Sequence, residues 1–258
     1  MAGEIAAMKL AFVLSLGFTI ALSLEASAAE KRVLVYTRNH VTNGTGYVHD
    51  NIATSVEAIR KIGAEHNFLV DVSDDPSVFS DQNLRKYRTL IFSNSNNEAF
   101  ETDAQRGAFQ RFIHRGGGFV GIHSASGSER HWPYFWSVLG GSFAAHPHIQ
   151  TFTVQVTDKS LPGLEDLPAS FRWTDECYFI GHLNPDIHPI LTTPRKNLDG
   201  VEAMHLDLST FTENLPLAWF HRFDHGREFY LALGHAKEDY SDPVFLKILT
   251  AGILWANH

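Results

Sequence analysis

Histidines at the ends of apolar runs are the residues of this sequence best suited to chemistry. The chain has 15 histidines among 258 residues, and imidazole can act as a proton shuttle or as a metal ligand. His123 follows residues 116–122, where a glycine turn leads into a short apolar run. This pattern predicts a buried β-strand with His123 just past its carboxyl end, where open α/β sheets bind their ligands.

The turn at His123 lacks a nucleophile. Sharp strand-to-helix turns hold a serine in the G-x-S-x-G motif, but a histidine stands here. The single cysteine, Cys177, follows two acidic residues, which would raise the pKa of its thiol. One cysteine also excludes an internal disulfide and a cysteine-based zinc cluster. Thiolate catalysis is therefore not expected, while Ser124 and Ser126 leave a serine hydrolase open as an alternative.

Other candidate residues follow other predicted strands, and the carboxyl ends of parallel strands converge on one crevice. His49 lies beyond the loop after the first strand, and His235 follows the strand at 228–233. Asp175 and Glu176 are adjacent, so an extended backbone would point only one of them into the crevice. We expect Glu176 to be the general acid or base, with Asp175 as second choice. The predicted catalytic residues are His49, His123, Glu176 and His235.

The elements that would position these residues alternate along the first half of the chain. Three apolar runs are typical of buried strands: residues 33–36, 68–72 and 89–92. Between them, Ile and Val recur at helical spacing over 52–62, and Gly63 predicts the end of that helix. Thr102 and Gln105 fit a capping box at the start of another helix. This alternation indicates an α/β fold with a parallel, helix-flanked sheet.

The second half is richer in strands. Four runs have the period or composition of strands: residues 151–156, 187–192, 217–221 and 228–233. They predict a β-rich extension of the sheet, and Asp242 followed by Pro243 predicts the start of a last helix. Because no linker or internal repeat interrupts the pattern, we expect residues 30–258 to form a single α/β domain.

Residues 1–29 have the pattern of a secretory signal peptide. Lys9 precedes an apolar run at 10–22 that is too short to span a membrane comfortably, and residues 26–29 fit a cleavage site near Ala28 and Ala29. We therefore expect a secreted or periplasmic protein without a membrane span after cleavage, with a retained N-terminal anchor as the alternative. The net charge of −8 argues against nucleic acid or an anionic membrane as partner.

Several short motifs occur in the order found in one protein family. They are residues 46–50, 117–124, 132–133, 146–147, 174–178, 216–219, 232–235 and 240–243. Over nearly the whole mature chain the sequence thus resembles the ThuA-like (trehalose utilisation) family. The resemblance implies a flavodoxin-like, doubly wound, mostly parallel sheet related to class I glutamine amidotransferases, with His123 at or beside the position of their cysteine. It also implies a place in bacterial sugar catabolism, with trehalose, other disaccharides or their keto forms as substrates.

Given this substrate class, polar and aromatic residues near the crevice are expected to hold a sugar. Tyr178 would share a face with Glu176 and hydrogen-bond a hydroxyl, and Trp132 would offer a ring for stacking. The predicted substrate-binding residues are Ser124, Trp132, His146, Gln150, Asp175 and Tyr178. No cofactor is the first expectation. The alternative is a divalent metal such as zinc, because His146 and His148 would share one face of an extended segment and could join His123 and His235.

The leading functional hypothesis is an exported enzyme that acts on a keto-disaccharide or glycoside such as trehalose. A histidine and a carboxylate would move protons next to a carbonyl, which permits isomerisation, elimination or hydrolysis without a cysteine nucleophile. A non-catalytic sugar-binding module and a metal-assisted hydrolase or isomerase are the alternatives. The expected partner is a sugar or keto-sugar, and homo-oligomerisation stays open.

Overall fold

A single large sheet organises the computed structural model, which describes residues 31–40 and 47–258. The predicted signal peptide, residues 1–29, and its cleavage site lie outside the described residues. The nine strands of this sheet are β1 (Arg32–Tyr36), β2 (Leu69–Ser73), β3 (Thr89–Ser93), β4 (Gly118–Ile122), β6 (Gln150–Val156), β7 (Ser170–Asp175), β9 (His188–Pro194), β10 (Asn214–Phe223) and β11 (Gly226–Leu231). A separate two-stranded sheet pairs β5 (Ser142–Ala145) with β8 (Phe179–Gly181).

Five strands form the parallel part of the sheet, in the order β2-β1-β3-β4-β11. Numbered by their place in this part, the strands run 2-1-3-4-5, which is the flavodoxin order with its switch point between β1 and β3. The predicted α/β class with a parallel, helix-flanked sheet is therefore confirmed. The carboxyl ends of β1, β3, β4 and β11 meet at one edge, where the candidate site lies.

The β-rich extension continues this sheet beyond β11. Strands β10, β9, β6 and β7 follow in that order, each antiparallel to its neighbours. Strand β11 belongs to both parts, because it forms a hairpin with β10 and lies parallel to β4. The extension brings the end of β7 to the same edge of the sheet as the ends of the parallel strands.

Helices cover both faces of the parallel part. On one face, α1 (Ile52–Glu65) and α5 (Pro243–Ala256) pack their buried aliphatic side chains against β1 and β11. On the other face, α2 (Asp81–Leu84), α3 (Asp103–His114) and α4 (Pro133–Leu139) pack in a core rich in phenylalanine. This two-sided cover explains why β3 and β4 are buried along their whole length.

Local signals set the starts of two helices, α3 and α5, as predicted. Thr102 and Gln105 form the predicted capping box at α3, and Asp242 accepts hydrogen bonds from the first backbone N–H groups of α5. The prediction that Gly63 ends α1 is wrong, because the helix continues to Glu65. A Cβ atom on Gly63 would lie 2.8 Å from the carbonyl oxygen of Phe68, so glycine is needed there for close packing against the incoming chain.

No helix within residues 31–40 and 47–258 is both long and apolar enough to cross a bilayer.

Candidate active site

His123 occupies a strained turn directly after β4. Its φ angle is +49°, and it is the first residue of the 3-10 turn His123–Gly127. A left-handed conformation is uncommon for a non-glycine residue and costs ~1–3 kcal/mol. A sharp turn of this kind after a parallel strand is the geometry of a nucleophile elbow. The structure thus places His123 where the sequence predicts it, with an imidazole in place of a nucleophile.

Two hydrogen bonds, one to its ring and one to its backbone, fix the position of His123. Its Nδ1 atom lies 2.8 Å from the carbonyl oxygen of Ala232, just after β11. Because a carbonyl only accepts, Nδ1 carries a proton, and the neutral ring has its lone pair on Nε2. The hydroxyl of Tyr230 donates to the His123 carbonyl oxygen over 2.7 Å. The ring is fully buried (0% exposed), so its tautomer and its direction are set by the fold.

Three groups converge on the Nε2 atom of His123. The Nε2 atom of His49 lies 3.0 Å away, the hydroxyl of Tyr178 2.9 Å away, and Oε2 of Glu176 3.4 Å away. His49 comes from the loop before α1, whereas Tyr178 and Glu176 follow β7. The sheet therefore brings residues far apart in sequence to one point, as the strand-end prediction requires.

Glu176 is the centre of the cluster. Besides His123, its Oε2 atom lies 3.3 Å from Nδ1 of His235, and its Oε1 atom lies 3.5 Å from Nε2 of His146. One carboxylate thus contacts three imidazoles. The four predicted catalytic residues lie together, with donor atoms of His49, His123, Glu176 and His235 all within 4.8 Å of one another. These four residues are the ones at this site that could hold a metal ion.

Asp175, the other member of the acidic pair, does not reach the crevice. It ends β7 with its side chain turned inward and is 1% exposed. Its carboxylate accepts hydrogen bonds from the backbone N–H groups of Glu176 (2.7 Å) and Gly234 (2.9 Å) and from Nε1 of Trp173 (3.2 Å). The predicted contact of Asp175 with substrate is therefore corrected: this residue supports the segments that carry Glu176 and His235.

A cavity of about 400 Å³ opens over the cluster. Five of the predicted residues line it: His49, Ser124, His146, Glu176 and Tyr178. The remaining lining residues are Tyr47, Asn96, Gly127, Arg130 and Phe143. The sequence reasoning missed Arg130 and Phe143. Arg130 lies three residues after the His123–Gly127 turn, and this closeness to a predicted strand end is the signal that could have found it.

Besides Asp175, three other predicted residues lie away from both the cavity and the catalytic histidines. Trp132 packs edge-on against Phe100 in the phenylalanine-rich core, with 5.8 Å between ring centroids. Gln150 exchanges two hydrogen bonds with the backbone of Asp199, and His148 is exposed beside Gly200. The predicted alternative metal set of His123, His146, His148 and His235 is therefore not brought together, because His148 points to the surface. Instead, His49 and Glu176 lie next to His123 and His235.

The cluster shifts the pKa values of its members in opposite directions. Burial, together with the neighbouring His123 and His235, lowers the pKa of His49 to about 3. Burial by itself would raise the pKa of Glu176, but its hydrogen bonds with His123 and His235 outweigh this and lower it well below the usual range. The Glu176 carboxylate in turn raises the pKa of His235. At neutral pH the cluster therefore contains an ionised Glu176 and a neutral His49.

Nucleophilic side chains are poorly placed. Burial, and to a lesser degree Asp175, raises the pKa of the Cys177 thiol far above its usual value, which agrees with the expectation that no thiolate acts here. Ser124 lines the cavity, but its Oγ atom is buried and has no hydrogen-bond partner within residues 31–40 and 47–258. The Ser126 hydroxyl bonds to Tyr230 and the His123 carbonyl. Neither serine is paired with a histidine ring that could serve as its base.

Comparisons with known proteins agree with this architecture. A ThuA-like protein from Bacteroides uniformis ATCC 8492 is 26% identical, with a TM-score of 0.69 over 90% of this chain and 93% of that chain. A ThuA-like protein from Parabacteroides merdae ATCC 43184 is 18% identical, with a TM-score of 0.66 over 88% and 90% of the two chains. A beta-galactosidase from Rahnella sp. R3 shares the fold over 31% of its length and 86% of this chain, with 17% identity and a TM-score of 0.54.

Sequence comparison identifies the family directly. None of the curated proteins matches the chain. The family profile of ThuA, described as trehalose utilisation, matches residues 32–256, and this range contains His49, His123, His146, Glu176 and His235. The chain therefore belongs to the ThuA family.

Proposed function

We propose that this protein is an enzyme of carbohydrate metabolism that acts on a sugar or keto-sugar, such as a keto-disaccharide related to trehalose. The observation that carries the proposal is the contact of one carboxylate, that of Glu176, with three histidines at the wall of a cavity of about 400 Å³. Membership of a family described as trehalose utilisation supports the substrate class.

The cavity offers the contacts that a sugar needs. Its volume is within the range of ~300–1,000 Å³ for small-molecule sites. The aromatic rings of Tyr47, Phe143 and Tyr178 line it and offer apolar surface for the C–H faces of a pyranose. Arg130 donates to the side-chain oxygen of Asn96 over 3.0 Å, and both residues line the cavity, where they can bind hydroxyl or carbonyl oxygens.

Proton transfer is assigned to His146 with Glu176. Nδ1 of His146 donates to the Pro147 carbonyl oxygen over 2.8 Å, so the neutral ring has its lone pair on Nε2. When Nε2 accepts a proton from a carbon next to a keto group, the imidazolium faces Oε1 of Glu176, which stabilises it. The proton can then return to the sugar, either at a neighbouring carbon in isomerisation or at a departing oxygen in elimination. This role extends that of His146 beyond the predicted substrate contact.

The N-terminal sequence supports a further part of the proposal, namely export. Residues 1–29 combine a basic start, an apolar run and a small-residue cleavage pattern. We expect the protein to act on sugars outside the cytoplasm. Cell fractionation combined with N-terminal sequencing tests this, and recovery of an uncleaved protein in the cytoplasm would refute it.

The enzymatic proposal is tested by product analysis. The purified protein is incubated with trehalose, 3-keto-trehalose and related disaccharides, and products are followed by mass spectrometry. His146→Ala and Glu176→Gln should each slow conversion by roughly 10²–10⁴-fold, the usual contribution of a general acid or base. His148→Ala is the matched control, because it removes the neighbouring, exposed imidazole and should leave the rate unchanged.

The outcomes separate the hypotheses. Conversion that is lost in both site variants but retained in His148→Ala supports the proposal. Calorimetric binding of these sugars without conversion would identify a non-catalytic sugar-binding module instead. Unchanged rates in both His146→Ala and Glu176→Gln would refute the assignment of the site.

A further inference from the structure

We propose that His49, His123, His235 and Glu176 bind one divalent transition-metal ion at the inner end of the cavity. The sequence by itself predicts either no cofactor or a metal held by a different histidine set. The role given to this ion rests on the proposed function, whereas its binding does not and can be measured without a substrate.

Three of the distances between the donor atoms match the edges of a tetrahedral metal site. Ligand atoms 2.0–2.1 Å from a tetrahedral zinc ion are about 3.3 Å apart. The Nε2 atoms of His49 and His123 are 3.0 Å apart, and Oε2 of Glu176 lies 3.4 Å from His123 Nε2 and 3.3 Å from Nδ1 of His235. Three measured edges thus agree with the expected length to within about 0.3 Å.

The hydrogen bonds around His123 are overcrowded in a way that a cation resolves. Because Nδ1 donates to Ala232, Nε2 is the ring nitrogen left for other partners, and it has a single in-plane site. His49 and Tyr178 both lie at hydrogen-bond distance from Nε2, and Oε2 of Glu176 lies 3.4 Å from it. One ring nitrogen cannot form a well-directed hydrogen bond with all three neighbours at once. A cation among these atoms accepts the lone pairs of both imidazoles and attracts the carboxylate.

The surroundings hold the ligands in place. The hydrogen bond from His123 Nδ1 to Ala232 is the kind of support that metal-bound histidines usually have, since it fixes the ring and its tautomer. The buried carboxylate of Asp175 binds the backbone N–H groups of Glu176 and Gly234, the latter next to His235. The ring of His123 and the backbone segments that carry Glu176 and His235 are therefore held in place before any ion binds.

The donor set selects the class of metal. Three imidazoles and one carboxylate suit zinc, cobalt, iron or nickel, whereas magnesium and calcium prefer oxygen ligands. Because His49 and Glu176 line the cavity, an ion there can be reached by a sugar oxygen. In the proposed function it would polarise a keto group, while His146 remains available for proton transfer.

Metal binding is tested on tag-free protein that has been treated with a chelator and dialysed. Zinc binding is followed by calorimetry, cobalt binding by its visible absorption, and magnesium serves as the comparison. We expect one zinc or cobalt ion per chain and no comparable magnesium binding. His49→Ala, His235→Ala and Glu176→Gln should each weaken binding by more than the ~10–100-fold typical of losing a supporting residue, with circular dichroism to verify folding.

Two control variants make the result specific. His148→Ala removes a nearby histidine that is not a ligand, and His225→Ala disrupts the exposed group of His114, Asp224 and His225, whose donor atoms also lie within 4.8 Å of one another. Stoichiometric binding that persists in both controls and is weakened in the site variants supports the proposal, with or without sugar conversion. Absent binding, unchanged affinity in folded site variants, or loss of binding in His225→Ala would overturn it.

Discussion

Replacing Asp175 by asparagine tests whether a buried carboxylate positions the active site. The Asp175 side chain accepts hydrogen bonds from the backbone N–H groups of Glu176 and Gly234 and from the Trp173 indole. The first two bonds tie together the segments that carry Glu176 and His235. Asparagine keeps the shape of the side chain but removes its charge and turns one acceptor oxygen into an N–H₂ donor.

The expected cost follows from counting these bonds. The asparagine oxygen can face either Glu176 or the pair formed by Gly234 and Trp173, but it cannot face both sides. Loss of one hydrogen bond to a charged group costs about 1.5–3 kcal/mol, and each of two bonds weakened by loss of charge costs about 1 kcal/mol. Since Asp175 is 1% exposed, water cannot replace the lost acceptor. We therefore expect Asp175→Asn to lower the free energy of unfolding by about 3.5–5 kcal/mol.

Urea unfolding at pH 7 measures this change, with Asp166→Asn as the control. The Asp166 side chain is 91% exposed, and its substitution should change stability by less than about 0.5 kcal/mol. Because Glu176 and His235 are displaced, the folded Asp175→Asn protein should also lose zinc affinity and sugar turnover, which a purely structural loss elsewhere would not cause. A stability loss below about 1 kcal/mol, or a folded variant with unchanged zinc affinity, would refute the reasoning.

Three further predictions concern buried or capping groups. Burial raises the pKa of Glu228 well above its usual value. The folded protein therefore holds the Glu228 proton more tightly than the unfolded chain does, and this stabilisation is fully present below the unfolded pKa of ~4.3. As the pH rises towards the folded pKa, the free energy of unfolding should fall by up to about 1.4 kcal/mol per pH unit. Urea unfolding at pH 5 and 7 should show this fall in the wild type and a smaller one in Glu228→Gln; parallel profiles would contradict it. Thr102→Ala should lower stability by about 1 kcal/mol through loss of the α3 cap, with no loss counting against the capping role. Tyr230→Phe should cost about 1–3 kcal/mol in the same assay, because the buried carbonyl of His123 loses its strongest donor, and an unchanged midpoint would contradict this.

The parallel half of the fold was predictable because its signals are local. Buried strands appear in the sequence as continuous apolar runs, and helices are marked by apolar residues at helical spacing and by capping residues. For this reason β1, β3 and α3 lie within a residue or two of their predicted positions. The local sequence does not determine which strands lie side by side in the sheet. Strand β11 pairs with β10 as a hairpin and also completes the parallel part beside β4, and only the packing of both cores decides this.

For the candidate site, too, only part could be predicted from local sequence patterns. His49, His123, Glu176 and His235 could be predicted to lie together because each follows a strand or its loop, and strand ends converge. For other candidates, the residue type by itself could not decide between a place in the site and a place in the core. Trp132 is equally suited to stacking on a sugar and to packing in a core, and it packs in the phenylalanine-rich core.

The position of His123 also indicates how the elbow is used. A nucleophile at such a turn has to face its substrate, but the His123 ring is fully buried and does not line the cavity. The left-handed backbone costs ~1–3 kcal/mol, and it directs Nε2 towards His49 and Glu176, which do line the cavity. We therefore expect His123 to influence a bound molecule through those two residues, or through the ion proposed between them. This requirement explains why a ring with a fixed tautomer, rather than a flexible hydroxyl or thiol, suits the turn.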